Sequence, residues 1–237
     1  YDEDTGYLRA IRSVDSDNGE QVKQMYYPNN KSLVTDLSSA EEQALDVLIT
    51  KNIVSSPFQV EEYNTTDPDN SKNTRRTTYK DWGSNLIFPE YVKTSKGINS
   101  LENRIKYNQF DAIGNPLEVQ QESGMVVTYL WGYNKTQPIA KIENATYNQV
   151  QPYESNLQTL SNGTDENALL TALNSLRTAL PNAMITTYTY KPLVGVSTIT
   201  DSKGNKITYE YDSFNRLQYV KDKDGNILSE NEYHYKN

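Results

Sequence analysis

Four glycines in this chain carry the same neighbours, and that repetition constrains the fold more than any other feature. Each has an aliphatic residue five positions before it and another three after it: Val14, Gly19, Val22; Val119, Gly124, Val127; Ile199, Gly204, Ile207; Val220, Gly225, Leu228. An aromatic follows each set: Tyr26, then Tyr129 and Trp131, then Tyr209 and Tyr211, and Tyr233 with the register slipped by one. Side chains in a strand alternate with period two, so Ile207, Tyr209 and Tyr211 share one face. A local pattern that recurs in this way predicts one supersecondary unit used several times.

The residues around these glycines are turn formers: Asp15 to Gly19, Asp201-Ser202-Lys203-Gly204-Asn205 and Asp222-Lys223-Asp224-Gly225-Asn226. Asp and Asn bond their own backbone, and Gly takes positive φ without steric cost. Gly204 and Gly225 stand 21 residues apart, the length of a strand-turn-strand-turn module. The expected fold class is therefore mainly β, with antiparallel hairpins stacked in sequence. In the middle of the chain, residues 77–79 and 105–107 read as strands, and 64–76 reads as a polar loop or excursion.

Two helical insertions interrupt the hairpins, at 38–51 and 151–181. The first opens on a capping Ser38, places Glu41 and Glu42 in its first turn, and has an apolar face of Ala44, Leu45 and Leu48. The second is a helical hairpin broken at Ser161-Asn162-Gly163-Thr164. Its later half repeats Leu169, Leu173, Leu176 and Leu180 up to Pro181, a packing stripe that docks on the sheet.

Composition removes several classes of function. The chain of 237 residues has no Cys and one His, His234, so disulfides, thiol chemistry and multi-His metal sites are excluded. A net charge of −8 argues against a nucleic-acid partner. No run reaches membrane-spanning length, so no insertion by an apolar helix is expected. Only 35% of residues are hydrophobic, yet 19 are Tyr, which favours strands and tolerates half-burial. Asp222-Lys223-Asp224-Gly225 lacks the spacing of a calcium loop and reads as turn chemistry. No carboxylate pair is singled out and His234 has no nucleophile beside it. The expectation is no catalytic residue, no metal and no cofactor.

Tyr211-Asp212-Ser213-Phe214-Asn215-Arg216-Leu217 resembles the YD repeat of the RHS family, in which a Tyr-Asp turn leads into Gly-Arg-Leu and then a second Gly turn. The likeness runs on through Val220, Asp222, Gly225-Asn226, Leu228 and Tyr233-His234-Tyr235. Tyr1-Asp2 with Gly6 and Leu8 resembles another copy, as does Phe110-Asp111 with Gly114, where Phe replaces Tyr. Asn215 stands where the family has Gly, and Asn is the next residue able to hold a left-handed backbone. The stretches 129–145 and 187–196 resemble RHS proteins exported to the bacterial cell surface, with type IX secretion as the implied route.

The resemblance implies a hollow shell of antiparallel hairpins, spanning 1–237 as a partial region, that in toxin-bearing members encloses a C-terminal effector. It implies a secreted or cell-surface scaffold without catalysis, a piece of a longer protein. Its implied partners are flanking repeats, an enclosed effector and the secretion machinery. Exposed Tyr and Trp leave a second role open, that of a glycan-binding or cell-contact adhesin. Tyr at every second position serves cross-strand packing without any ligand, which favours the scaffold.

Overall fold

The structure is a computed structural model and describes residues 1, 6–14, 19–83 and 85–233. Among these the chain is mainly β: fourteen antiparallel strands whose order in the sheet is their order in the chain. It divides into two compact units, Tyr1–Gly114 with Gln120–Gly124, and Asn115–Val119 with Met125–Asn237.

The first unit holds β1 (Ala10–Val14), β2 (Glu20–Tyr26), α1 (Ser39–Thr50), β3 (Gln59–Asn64), α2 (Pro68–Ser71), β4 (Asn73–Asp81), β5 (Ile87–Lys96) and β6 (Glu102–Phe110). A 3-10 helix, Pro28–Leu33, leads into α1. Ser38 caps α1 reciprocally. Its Oγ accepts the Glu41 N–H at 3.3 Å, and the Glu41 carboxylate accepts the Ser38 N–H at 2.8 Å. Ala44, Leu45 and Leu48 are buried, and the two leucines pack with Val34, Phe58 and Ile87. Burial of each leucine contributes about 1.5–3 kcal/mol.

The segment 64–76, expected as a polar loop, is ordered into α2 and the start of β4. Asn64 organises the link: its Oδ1 accepts the Thr66 N–H at 2.8 Å, and its own N–H donates to Ser71 Oγ at 2.8 Å. The strand itself is hard to read from hydropathy because its buried positions, Thr74, Arg76 and Thr78, are polar.

β7 (Pro116–Gln121) leads into the second unit, which continues with β8 (Val126–Gly132), β9 (Gln137–Glu143), α3 (Tyr147–Ser161), α4 (Glu166–Ala179), β10 (Met184–Lys191), β11 (Gly195–Thr200), β12 (Lys206–Tyr211), β13 (Leu217–Lys221) and β14 (Ile227–Glu230). The helical hairpin opens at Tyr147 rather than at 151. Pro152 suggests a first turn, but the cap lies earlier, where the Thr146 N–H donates to Gln149 Oε1 at 2.8 Å. Leu169, Leu173 and Leu176 are fully buried against Leu130, Ile139, Ile142 and Ile185 of the sheet and Val150 and Leu157 of α3, and Leu180 is partly buried beside them. Toward β10 and β11 the same helix turns polar: Arg177 donates to the carbonyls of Ile185 and Thr200, and Thr189 donates to Glu166 at 2.5 Å.

Candidate functional site

Three successive turns in the second unit are built alike. At Asp201 the carboxylate accepts the N–H groups of Lys203 and Asn205 at 2.9 and 2.8 Å, and the Gly204 N–H closes on the Asp201 carbonyl at 3.0 Å. Asp222 repeats this with Asp224 and Asn226 at 2.9 and 2.8 Å, and with Gly225 at 3.1 Å. Asp212 does the same with Phe214 and Arg216 at 2.8 and 3.0 Å, and with Asn215 at 3.0 Å. The fourth residue of each turn is left-handed: Gly204 has φ +86°, Gly225 +84° and Asn215 +61°. In the first unit, Asp111 accepts the Ile113 N–H at 3.0 Å and its carbonyl receives Gly114 at 3.2 Å. Gly6, Gly114 and Gly124 also hold positive φ.

The Asp carboxylates of these turns are held below their usual range by the bonds that shape them: Asp201 and Asp222 by the Asn side chain four residues on, Asp212 by the Arg216 guanidinium. Arg216 donates Nε–H to Asp212 at 2.7 Å and lies over the Tyr233 ring at 4.3 Å and the Phe214 ring at 5.1 Å. One side chain thus ties a turn to the aromatic that closes the next hairpin.

That closing aromatic recurs. In the second unit, the polar tip of an aromatic at or just past the end of a pair's second strand donates to a carbonyl at the start of its first strand, in four successive antiparallel pairs. Trp131 bonds Pro116 at 2.9 Å (β7/β8) and Tyr190 bonds Pro138 at 3.0 Å (β9/β10). Tyr211 bonds Val196 at 2.9 Å (β11/β12) and Tyr233 bonds Leu217 at 2.9 Å (β13/β14). In the first unit, Tyr27 bonds the Leu8 carbonyl at 3.0 Å beside β1/β2. At β5/β6 the last residue is Phe110, which cannot donate. Its ring stacks at 5.1 Å on Phe88, the second residue of β5. Of these closers, Tyr27 and Tyr190 were not singled out by the sequence pattern. The helices α3 and α4 separate Tyr190 from its acceptor by 52 residues, so no short spacing betrays the pair.

Placed beside the aromatic, the Tyr-Asp pair has a physical division of labour. Tyr211 reaches back to close the hairpin it ends, while Asp212 gathers the amides of the turn that begins the next. Tyr1 is exposed, and Gly19 is a buried residue directly before β2. Asp2, the turn residues 15–18 and His234 lie outside the described residues.

Other polar side chains are used in the same structural way. The buried Arg76 side chain donates to Gln59 at 2.5 Å and to the Asp36 carboxylate. Burial and Glu61 push the Tyr26 phenol up to about 12, and burial does the same at Tyr190. Among the described residues, no three His, Asp or Glu side chains converge as a metal site, and no helix is long and apolar enough to cross a membrane.

β14 has β13 on one side, and among the described residues no strand follows it in the order. All four of its residues are exposed, Ile227 at 55% and Leu228 at 59%. The Asn231 N–H reaches the Gln218 carbonyl at 2.9 Å. By the alternation of an antiparallel ladder, the Glu230 N–H faces the open side.

No family model matches the chain, and no curated protein matches it. Solved structures do. The chain is similar to one in the crystal structure of TcdB2-TccC3, with a TM-score of 0.42 and 11% identity over 88% of this chain and 9% of that one. It is similar also to a chain of TcdB2-TccC3 without its hypervariable C-terminal region, with a TM-score of 0.39 and 12% identity over 91% of this chain and 11% of that one. The chain therefore spans about a tenth of the length of the structures it matches.

Proposed function

We propose that this chain is a non-catalytic scaffold segment of a secreted or cell-surface bacterial protein of RHS type, its stacked hairpins forming part of a shell wall around a C-terminal effector. The observation that carries this reading is the run of four successive antiparallel strand pairs, β7/β8, β9/β10, β11/β12 and β13/β14, each closed by an aromatic donor on its own backbone. The aspartates of the described turns and the aromatics that close the strand pairs are engaged structurally, as a wall requires. The turn and closure roles of Tyr211, Asp212 and Asp111 support this reading: Tyr211 closes a hairpin on Val196, and Asp212 and Asp111 gather the amides of a turn.

The open edge of β14 fits the same role. An exposed edge strand templates pairing, and flanking repeats of the same polypeptide are the partners that complete it. Export to the cell surface, by the type IX route, belongs to the same proposal and rests on the likeness of 129–145 and 187–196 to exported RHS proteins.

Proteolysis of the whole polypeptide tests the enclosure. A C-terminal effector held inside the shell resists added protease in the wild type and becomes cleavable when Gly204→Val and Gly225→Val open two turns of the wall. Equal cleavage rates in both proteins would contradict the proposal.

A further inference from the structure

Eight residues other than glycine hold positive φ among those described, and five of them are Asn, the residue that tolerates it best. The other three are Tyr133 (φ +51°), Lys135 (+63°) and Leu193 (+62°). All three belong to two turns that flank one groove of the second unit, a cavity of about 620 Å³ between the β8/β9 turn, the end of α3 and the β10/β11 turn. Strain of this kind persists only where the surroundings enforce it, and it gathers at sites of function.

The first turn is enforced. Tyr133 N–H donates to Ser161 Oγ at 2.9 Å, Asn134 N–H to Asn162 Oδ1 at 2.7 Å, and Asn115 Nδ2 to the Lys135 carbonyl at 2.9 Å. The second turn is different. Leu193 is the third residue of a β-turn that the Val194 N–H closes on the Lys191 carbonyl at 3.0 Å with Pro192 before it, which accounts for its positive φ, but its side chain is fully exposed and no packing accounts for that. A leucine in a left-handed conformation, offered to water at the tip of a turn, has the character of an anchor for something else.

The groove's chemistry narrows what that is. Most of its surface is apolar, from Tyr133, Tyr190, Pro192, Leu193, Val194 and Val196, while Asn134, Gln137, Ser161 and Asn162 line the side toward the β8/β9 turn and the end of α3. Both tyrosine hydroxyls are engaged, Tyr133 accepting the Tyr190 N–H at 2.8 Å and Tyr190 donating to Pro138. Among the described residues no carboxylate and no arginine lines the groove, and of its amides Asn162 is engaged by the Asn134 N–H at 2.7 Å. In a chain of net charge −8, Lys191 lines it, exposed, and Lys135 lines the adjoining depression that shares Asn134 and Asn162. Glu166, whose field reaches Tyr133, accepts the Thr189 hydroxyl. The complement of an apolar groove with a cationic rim is an apolar side chain beside a negative charge.

We propose that this groove is a docking site for an extended segment of a partner polypeptide that carries an apolar residue flanked by carboxylates. Leu193 is its hydrophobic anchor and Lys191 sets the charge preference. The site is independent of the scaffold role and holds whether or not the hairpins enclose an effector.

Amide NMR of the full chain, titrated with the capped peptides Glu-Leu-Trp-Glu and Lys-Leu-Trp-Lys and with a neutral hexasaccharide, tests the proposal. The acidic peptide should shift resonances of 133–136 and 190–196 and bind about fivefold or more tighter than the basic one at low salt. Leu193→Gly, which suits positive φ, should melt no lower than the wild type and yet bind the acidic peptide about fivefold more weakly. Lys191→Glu should reverse the peptide preference. The proposal is overturned if neither peptide binds at millimolar concentration, if both bind equally, or if only the saccharide shifts the groove. It falls also if Leu193→Gly binds as the wild type does, or melts below it, which would make Leu193 a packing residue.

Discussion

The Tyr211 hydroxyl donates to the Val196 carbonyl at 2.9 Å, and the ring passes so close to Gly195 that a Cβ there would collide with the hydroxyl. Closure of the β11/β12 hairpin therefore needs both the phenol and the missing side chain. Tyr211→Phe should cost about 1 kcal/mol, the net worth of one hydrogen bond. Gly195→Ala should cost a similar amount by displacing the ring. Because both changes break the same contact, the double variant should be no worse than the larger single one, which chemical denaturation of the four proteins measures.

The turns make a separate prediction. Gly204 and Gly225 hold φ near +85°, where a β-branched residue is disfavoured, so Gly204→Val and Gly225→Val should each lose about 1–3 kcal/mol. Asn215→Gly should be neutral or slightly stabilising at the same turn position, read as an equal or higher melting temperature.

Much of this architecture is legible in the sequence. Ser38 with Glu41 announced α1, the leucines of α4 announced its buried stripe, and the Asp turns announced the hairpins. The ordering of 64–76 was not legible, because burial in β4 falls on Thr74, Arg76 and Thr78, whose partners are hydrogen bonds rather than apolar neighbours. The groove was hidden for a different reason. Its signature is a backbone angle, and Tyr133, Lys135 and Leu193 are not residues whose identity forecasts positive φ.

Alkaline pH should weaken the fold in a defined window. Burial raises the phenols of Tyr26 and Tyr190 from 10.0 to about 12, so the folded state disfavours their ionisation. Stability they contribute is fully present below pH 10 and is lost as pH rises through about 12. Melting temperatures across that range should fall more steeply for the wild type than for Tyr190→Phe.

At the acid end the sign reverses. Asp201, Asp212 and Asp222 are held below the ordinary 3.8, so their contribution is present above that pH and is lost as pH falls below it. Asp212→Asn should leave a shallower decline in melting temperature between pH 4 and 2 than the wild type shows, roughly in proportion to the protons no longer taken up.

The claim that the hairpin stack continues by pairing at the β14 edge is tested most directly by sedimentation velocity over a range of concentrations. The wild-type chain should self-associate as concentration rises, and so should Glu230→Gln, which keeps the outward N–H. Glu230→Pro, which removes that N–H and spares the Asn231 bond to Gln218, should remain monomeric. A wild-type chain that stays monomeric at every concentration, or a Glu230→Pro chain that associates as strongly, would contradict the account.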